Sequence, residues 1–175
     1  FDADPRARVI ALHRGRALLA ERVEGSAPAL DFRRPADLPE PDLRCYLGRT
    51  VTDDDGMPAG TPIEVRVFDA DAASGIEPED ARWASLRAAA TVLGDRDAAL
   101  FTEAVALANW HGASPFCPRC GSSTTVIQAG WARKCDREDT LLFPRTDPAV
   151  IVLVTDDDDR VLLGSDYPFD MGVDD

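Results

Sequence analysis

Short apolar runs separated by turn-forming residues dominate the first part of the chain. Within residues 8–20, two apolar runs flank the tetrapeptide at 13–16, a pattern that predicts a β-hairpin. Strands are also predicted at residues 44–51 and 63–68, the second of which begins with Ile, Val and Val alternating with polar positions. Residues 27–42 carry four prolines among mostly polar positions, which prevent a regular ladder and predict a loop.

The pattern then changes to Ala- and Leu-rich stretches with apolar positions three and four residues apart. This period predicts two helices, at residues 81–93 and 97–110, with Gly94 and Asp95 between them. Up to residue 112 the chain is therefore predicted to be a small sheet followed by a helical pair. No residue of this part indicates chemistry by itself.

The residue pattern changes after Gly112. Clustered cysteines, glycines and few helix-forming residues come first, and a β-branched run follows at residues 149–154. The acidic segment at 155–159 lies between that run and the apolar residues 161–163, as in a turn that joins two strands. We interpret it as a solvated turn, because a calcium loop needs spaced ligands and a distal glutamate, which the sequence does not contain.

Composition and charge narrow the class of protein. The 175 residues are 45% hydrophobic, which is enough for a folded core. A net charge of −13 argues against a surface built to neutralise nucleic-acid phosphates or to lie on anionic lipid.

No apolar run approaches the length of about 20 residues that spans a bilayer, so we expect no membrane partner and a cytoplasmic location. Cys45 is isolated and the other three cysteines cluster, which favours metal ligation in a reducing compartment over disulfides.

The cysteine cluster has the spacing of a zinc ribbon with one ligand replaced. Cys117 and Cys120 are three positions apart, and Gly121 permits the sharp turn that lets both thiolates face one ion. Cys135 follows after fourteen intervening residues, close to the return of a second cysteine pair. A complete ribbon would have a cysteine at position 138, where this chain has Glu138.

Several interpretations of this cluster remain open. Zinc accepts carboxylate oxygen, so Glu138 is the first candidate for a fourth ligand, and Asp136, Asp139 and His111 are substitutes. Alternatively, the ribbon binds no metal and its cysteines remain as small buried hydrophobic residues. A bound zinc would be structural, because four protein ligands leave no position for water or substrate. A redox pair is disfavoured, because Pro118 and Arg119 do not open a helix typical of such pairs.

Four motifs in one order make the sequence resemble the NADH pyrophosphatase family of the Nudix superfamily, in particular its actinobacterial members. The motifs are ANWH at 108–111, FCPRCG at 116–121, AGWAR at 129–133 and FPRTDPAVI at 143–151. The segment YLGR at 46–49 fits the N-terminal domain of the same family. The resemblance covers most of the chain and is strongest over residues 108–164.

The resemblance implies an α+β protein in three parts. These are an N-terminal α/β domain at residues 1–112, a zinc-ribbon-like module at 113–143 and the first strands of a Nudix α/β/α sandwich at 144–175. Members of the family form homodimers and hydrolyse the pyrophosphate bond of NADH or NAD to nicotinamide mononucleotide and AMP. Some also remove NAD caps from RNA. A glutamate-rich Nudix helix holds the Mg²⁺ or Mn²⁺ that activates water in these enzymes.

The resemblance also assigns two substrate-binding positions. Phe143 matches an aromatic residue that stacks on the nucleotide ring and can do so across the dimer interface. Ile151 matches an apolar wall of the pocket on the first Nudix strand. Plain core packing remains an alternative for both residues. Stacking on an exposed ring stabilises a bound base by about 1–3 kcal/mol, so Phe143 would contribute measurably to affinity.

The departures from the family concern catalysis. No Arg-Glu-x-x-Glu-Glu array of a Nudix box occurs in the 175 residues, and Asp174 and Asp175 are weak candidates for metal ligands. No catalytic residue is therefore assigned within the sequence. We expect these residues to be a portion of a complete NAD(H) diphosphatase. The alternative is a non-catalytic nucleotide-binding or dimerisation module derived from the family. A ribbon that serves nucleic acid is disfavoured by the charge.

Overall fold

The computed structural model describes residues 4–21, 24–53, 56–146 and 153–161. The chain divides into two compact units, Phe1–Pro144 and Arg145–Asp175. The first unit contains a six-stranded mixed sheet, three helices and a three-stranded antiparallel sheet. This combination confirms the predicted α+β class. No helix among the described residues is long and apolar enough to cross a membrane.

The six strands of the larger sheet are β1 (Arg8–His13), β2 (Arg16–Leu18), β3 (Phe32–Arg33), β4 (Leu43–Arg49), β5 (Pro62–Val67) and β6 (Trp83–Ser85). Their order in the sheet is β4-β5-β1-β2-β6, with β3 also paired to β1. Strands β1 and β5 are parallel and the other pairs are antiparallel. The predicted hairpin is confirmed: His13 pairs with Arg16, and both turn residues between them have positive φ, as a type I′ hairpin turn requires.

The helices are α1 (Ala70–Ile76), α2 (Leu86–Ala89) and α3 (Asp95–Ala113). Helix α3 confirms the second predicted helix. The prediction of a helix at residues 81–93 is wrong for its first part, where the chain forms strand β6. Trp83 is buried and pairs with Leu18 of β2, so strand pairing overrides the local preference of an Ala-rich segment. Helix α1 was not expected, and it begins where the Asp69 carboxylate accepts a hydrogen bond from the Ala72 N–H.

The main core lies between one face of the sheet and α3. Along a strand, alternate side chains point to opposite faces, so β5 sends Ile63 and Val65 into this core. The core also contains the fully buried Phe101 of α3. The opposite face of β5 carries Glu64, which is fully buried and forms ion pairs with Arg44 and Arg66. One face of the sheet therefore packs against the main core, and the other carries a buried charge network beside a second, smaller apolar cluster.

The smaller sheet consists of β7 (Thr124–Ile127), β8 (Ala132–Cys135) and β9 (Leu141–Leu142), in that order. A 3₁₀ turn at Gln128–Gly130 connects β7 to β8. In the second unit, Thr155 and Val161 form an isolated bridge around the acidic segment. Within it, Asp156 accepts hydrogen bonds from the backbone N–H groups of Asp158 and Arg160, which confirms the predicted turn. The predicted strands that flank it lie mostly outside the described residues.

Candidate metal centre

Three cysteines from two segments converge at one end of the smaller sheet. Cys117 and Cys120 lie in the turn that precedes β7, and Cys135 is the last residue of β8. Their three Sγ atoms all lie within 4.8 Å of one another, and the Sγ atoms of Cys120 and Cys135 are 3.5 Å apart. Zinc bound at about 2.3 Å from each thiolate requires such separations. The donor set therefore fits the zinc that the spacing predicts.

The electrostatic environment of Cys120 differs from that of Cys45. Hydrogen bonds from the Ser122 side chain and backbone N–H lower the pKa of Cys120 to about 7, which favours the thiolate that binds metal. Cys45 lies alone in the main core, where burial raises its pKa to about 11. Cys45 thus remains a thiol and acts as a small packing residue.

The substitute fourth ligands are engaged elsewhere. His111 is buried; its Nε2 lies 2.8 Å from the Gly130 carbonyl oxygen and its Nδ1 lies 3.0 Å from the Arg133 guanidinium. Because the guanidinium is only a donor, Nδ1 accepts and Nε2 donates, so the imidazole is neutral and both nitrogens are used. Burial is the first cause that lowers its pKa, and the charge of Arg133 adds to the effect.

The acidic candidates differ in how firmly they are held. The Asp136 carboxylate accepts hydrogen bonds from the hydroxyl groups of Ser123 and Thr125, at 2.6 and 2.7 Å. The Asp139 carboxylate pairs with Lys134 at 2.7 Å. The Glu138 carboxylate forms longer ion pairs, at 3.9 Å to Arg119 and 3.6 Å to Arg137. Among the described residues, the group of side chains placed to hold a metal ion consists of the three cysteines and includes no histidine or carboxylate. Glu138 therefore stays a prediction.

The ribbon contacts the larger sheet through the turn before β8. Trp131 donates a hydrogen bond of 2.6 Å from Nε1 to the Tyr46 carbonyl oxygen on β4, and its ring packs against the main core. Gly130 lies directly against Cys45, because a Cβ built on Gly130 would lie 2.7 Å from the Cys45 Cα. The sequence pattern marks this segment as a motif but does not predict its contact with the larger sheet. Gly130 itself was the available signal, since glycine permits close backbone approach.

The structure describes one of the two predicted substrate-binding residues. Phe143 follows β9 and is 57% exposed, a value that does not fit burial in a core. A second exposed phenylalanine of the ribbon, Phe116, is 63% exposed. Ile151 lies outside the described residues. The role of Phe143 in binding stays a prediction.

Comparison with known families agrees with this geometry. A family model described as the NADH pyrophosphatase-like rudimentary NUDIX domain matches residues 6–110. A second model, the NADH pyrophosphatase zinc ribbon domain, matches residues 113–140 and therefore includes all three clustered cysteines. The two matched segments follow one another along the chain.

Curated relatives match over about half of the chain. It is 39% identical over 88 residues to NAD(P)H pyrophosphatase NUDT13, mitochondrial, of Homo sapiens, which covers 50% of this chain and 25% of that protein. It is 41% identical over 86 residues to Nudix hydrolase 19, chloroplastic, of Arabidopsis thaliana, covering 47% and 18% respectively. Identity to NAD-capped RNA hydrolase NudC of Mycobacterium tuberculosis is 40% over 78 residues, covering 45% and 25%.

The matched segments thus span a quarter or less of the length of these relatives. The first family model, in contrast, covers well over half of the present chain, and the second follows it directly. The larger sheet lies in the segment that the first family model matches, and the ribbon with its cysteine cluster lies in the segment that the second model matches. The chain belongs to the family with an NADH pyrophosphatase-like rudimentary NUDIX domain followed by an NADH pyrophosphatase zinc ribbon.

Proposed function

We propose that the whole protein hydrolyses the pyrophosphate bond of NAD(H) to nicotinamide mononucleotide and AMP, and that it also removes NAD caps from RNA. The family membership is the observation that carries this proposal. Relatives named as an NAD(P)H pyrophosphatase and as NAD-capped RNA hydrolases support the two substrate classes. We further propose that the protein acts as a homodimer in a reducing compartment such as the cytoplasm, where the clustered thiols remain free to bind metal.

The described residues contribute a scaffold and no catalytic acid. In this superfamily a divalent ion, Mg²⁺ or Mn²⁺, neutralises the pyrophosphate and activates water when it is bound. The 175 residues contain no glutamate array that fits such an ion, so we assign no step of hydrolysis to them. Asp174 and Asp175 lie outside the described residues. The contribution of this chain is then the zinc-bound ribbon, its attachment to the larger sheet and an exposed aromatic side chain.

Phe143 is the residue through which this chain would contact the substrate. Its side chain is more than half exposed, and every nucleobase presents a π face on which such a ring can stack. Stacking stabilises a bound base by about 1–3 kcal/mol, which corresponds to about 5- to 150-fold in affinity. Ile151 remains the second proposed contact, as an apolar wall of the pocket.

The test is the hydrolysis of NADH by the whole protein with Mn²⁺, measured as nicotinamide mononucleotide released. Phe143→Ala is expected to raise KM by about 5- to 150-fold. Phe116→Ala is the matched control, because it removes an equally exposed ring from the same module and should leave KM unchanged. Equal increases in KM for the two variants would contradict a specific role of Phe143 in substrate binding. Binding of NADH without any release of product would favour the non-catalytic module instead.

A further inference from the structure

The loop that begins with Cys135 repeats the backbone of the loop that begins with Cys117. In the first loop, the Gly121 N–H donates a hydrogen bond of 2.9 Å to the Cys117 carbonyl oxygen. In the second, the Asp139 N–H donates a hydrogen bond of 3.1 Å to the Cys135 carbonyl oxygen. The fifth residue of each loop is left-handed, with φ of 71° at Gly121 and 57° at Asp139. The two loops are therefore the same type of turn, closed in the same way.

This repetition places Glu138 at the position that corresponds to Cys120. Both residues are the fourth in their loop, immediately before the left-handed residue. The Glu138 N–H also donates a hydrogen bond of 3.4 Å to the Cys135 Sγ, so the backbone of the second loop wraps around its cysteine sulfur. We propose that the Glu138 carboxylate is the fourth ligand of the metal centre, which is then a Cys₃Glu site with Cys117, Cys120 and Cys135.

The competing interactions of Glu138 are weak enough for a metal to displace. Its side chain is 30% exposed, and its partners Arg119 and Arg137 are 72% and 66% exposed at 3.9 and 3.6 Å. Ion pairs of this kind stabilise a protein by only about 0–1 kcal/mol. The neighbouring carboxylates of Asp136 and Asp139 are in contrast held at 2.6–2.7 Å by their own partners. Glu138 is thus the acidic side chain that is free to turn toward the three thiolates.

A Cys₃Glu site has distinct binding properties. Four protein ligands close the coordination sphere, so the metal remains structural. A carboxylate oxygen is a harder donor than a thiolate and binds zinc less strongly, so the site should hold zinc less tightly than a Cys₄ ribbon would. Replacing Glu138 by cysteine should then tighten binding, whereas replacing it by a residue without a donor should weaken binding. This inference does not depend on the proposed hydrolase activity.

The test is a titration of the metal-free chain with Co²⁺, followed by displacement with Zn²⁺. The near-ultraviolet band from thiolate to cobalt reports the number of thiolates, and the visible bands report the coordination geometry. Glu138→Ala and Glu138→Gln are expected to keep the thiolate band of three cysteines and to lose at least about tenfold in affinity, since even outer-sphere changes cost 10–100-fold. Glu138→Cys is expected to increase the thiolate band by about one third and to raise the affinity for Zn²⁺.

Asp139→Asn is the matched control, because it removes an adjacent exposed carboxylate at a left-handed position that asparagine tolerates. Asp139→Asn should leave the near-ultraviolet and visible bands, and the affinities for Co²⁺ and Zn²⁺, unchanged. The proposal is overturned if Glu138→Ala and Glu138→Gln bind Co²⁺ like the natural chain, if Asp139→Asn weakens binding equally, or if Glu138→Cys adds no thiolate band. The cysteine variant gains a signal, so misfolding of the other variants cannot produce the expected result.

Discussion

Gly130 controls how closely the ribbon approaches the larger sheet, and a single methyl group tests this contact. In Gly130→Ala the new Cβ would lie 2.5 Å from the Cys45 Sγ, 2.6 Å from its Cβ and 2.7 Å from its Cα. Carbon atoms in contact are normally about 3.5–4.0 Å apart, so the two segments must separate by about 1 Å. Cys45 cannot retreat easily, because β4 is hydrogen-bonded to β5 at the Cys45 and Val65 pair.

The energetic cost has two parts. Gly130 has φ of 94°, a conformation that costs an alanine about 1–3 kcal/mol. Overpacking a rigid contact costs about 1–3 kcal/mol more, so we expect a total loss of about 2–6 kcal/mol in the free energy of unfolding. This is a large fraction of the roughly 5–15 kcal/mol that stabilises a typical domain. Separation of the segments would also lengthen the hydrogen bond from Trp131 to the Tyr46 carbonyl oxygen.

The assay is urea unfolding followed by tryptophan fluorescence, with Gly60→Ala as the matched control. Gly60 has φ of 80° but no atom within 4 Å of a new Cβ, so that variant reports the conformational strain alone. Gly130→Ala should be less stable than Gly60→Ala by about 1–3 kcal/mol. Adding Cys45→Ala removes only one of the three close atoms, so most of the loss should persist. Equal stability of the two glycine variants would show that the contact is not rigid and would refute the reasoning.

Two further predictions concern buried polar groups. Glu64→Gln neutralises a fully buried carboxylate between Arg44 and Arg66 and should cost about 3–5 kcal/mol in urea unfolding, because it removes the negative charge that compensates the buried Arg66 guanidinium. The control Glu103→Gln should cost little, since burial already raises the pKa of Glu103; equal losses would contradict the pairing argument. Burial lowers the pKa of His111, so its contribution to stability is complete above pH of about 6.5 and is lost as pH falls through the folded pKa. Stability measured from pH 7 to about 5 should therefore decline less in His111→Gln than in the natural chain, and parallel profiles would rule out the histidine as the cause.

The sequence by itself determined the features that depend on neighbouring residues. The turn at Arg14 and Gly15 depends only on two adjacent residues that adopt the left-handed conformation. The apolar period that predicts α3 depends only on the residues of that helix. The convergence of Cys117, Cys120 and Cys135 was also predictable, because metal ligation requires this spacing within a short segment. These signals are local, so a linear pattern contains them in full.

The tertiary structure decided the features that depend on residues far apart in the chain. Trp83 forms a strand because β2 is available to pair with it, and the Ala-rich pattern around it predicts a helix instead. Glu64 is buried because Arg44 and Arg66 lie beside it, and the contact between Gly130 and Cys45 joins positions 85 residues apart. Such contacts form when distant segments of the chain pack together. The order of apolar and polar residues determines which side chains are buried, but it does not specify which residue each of them contacts.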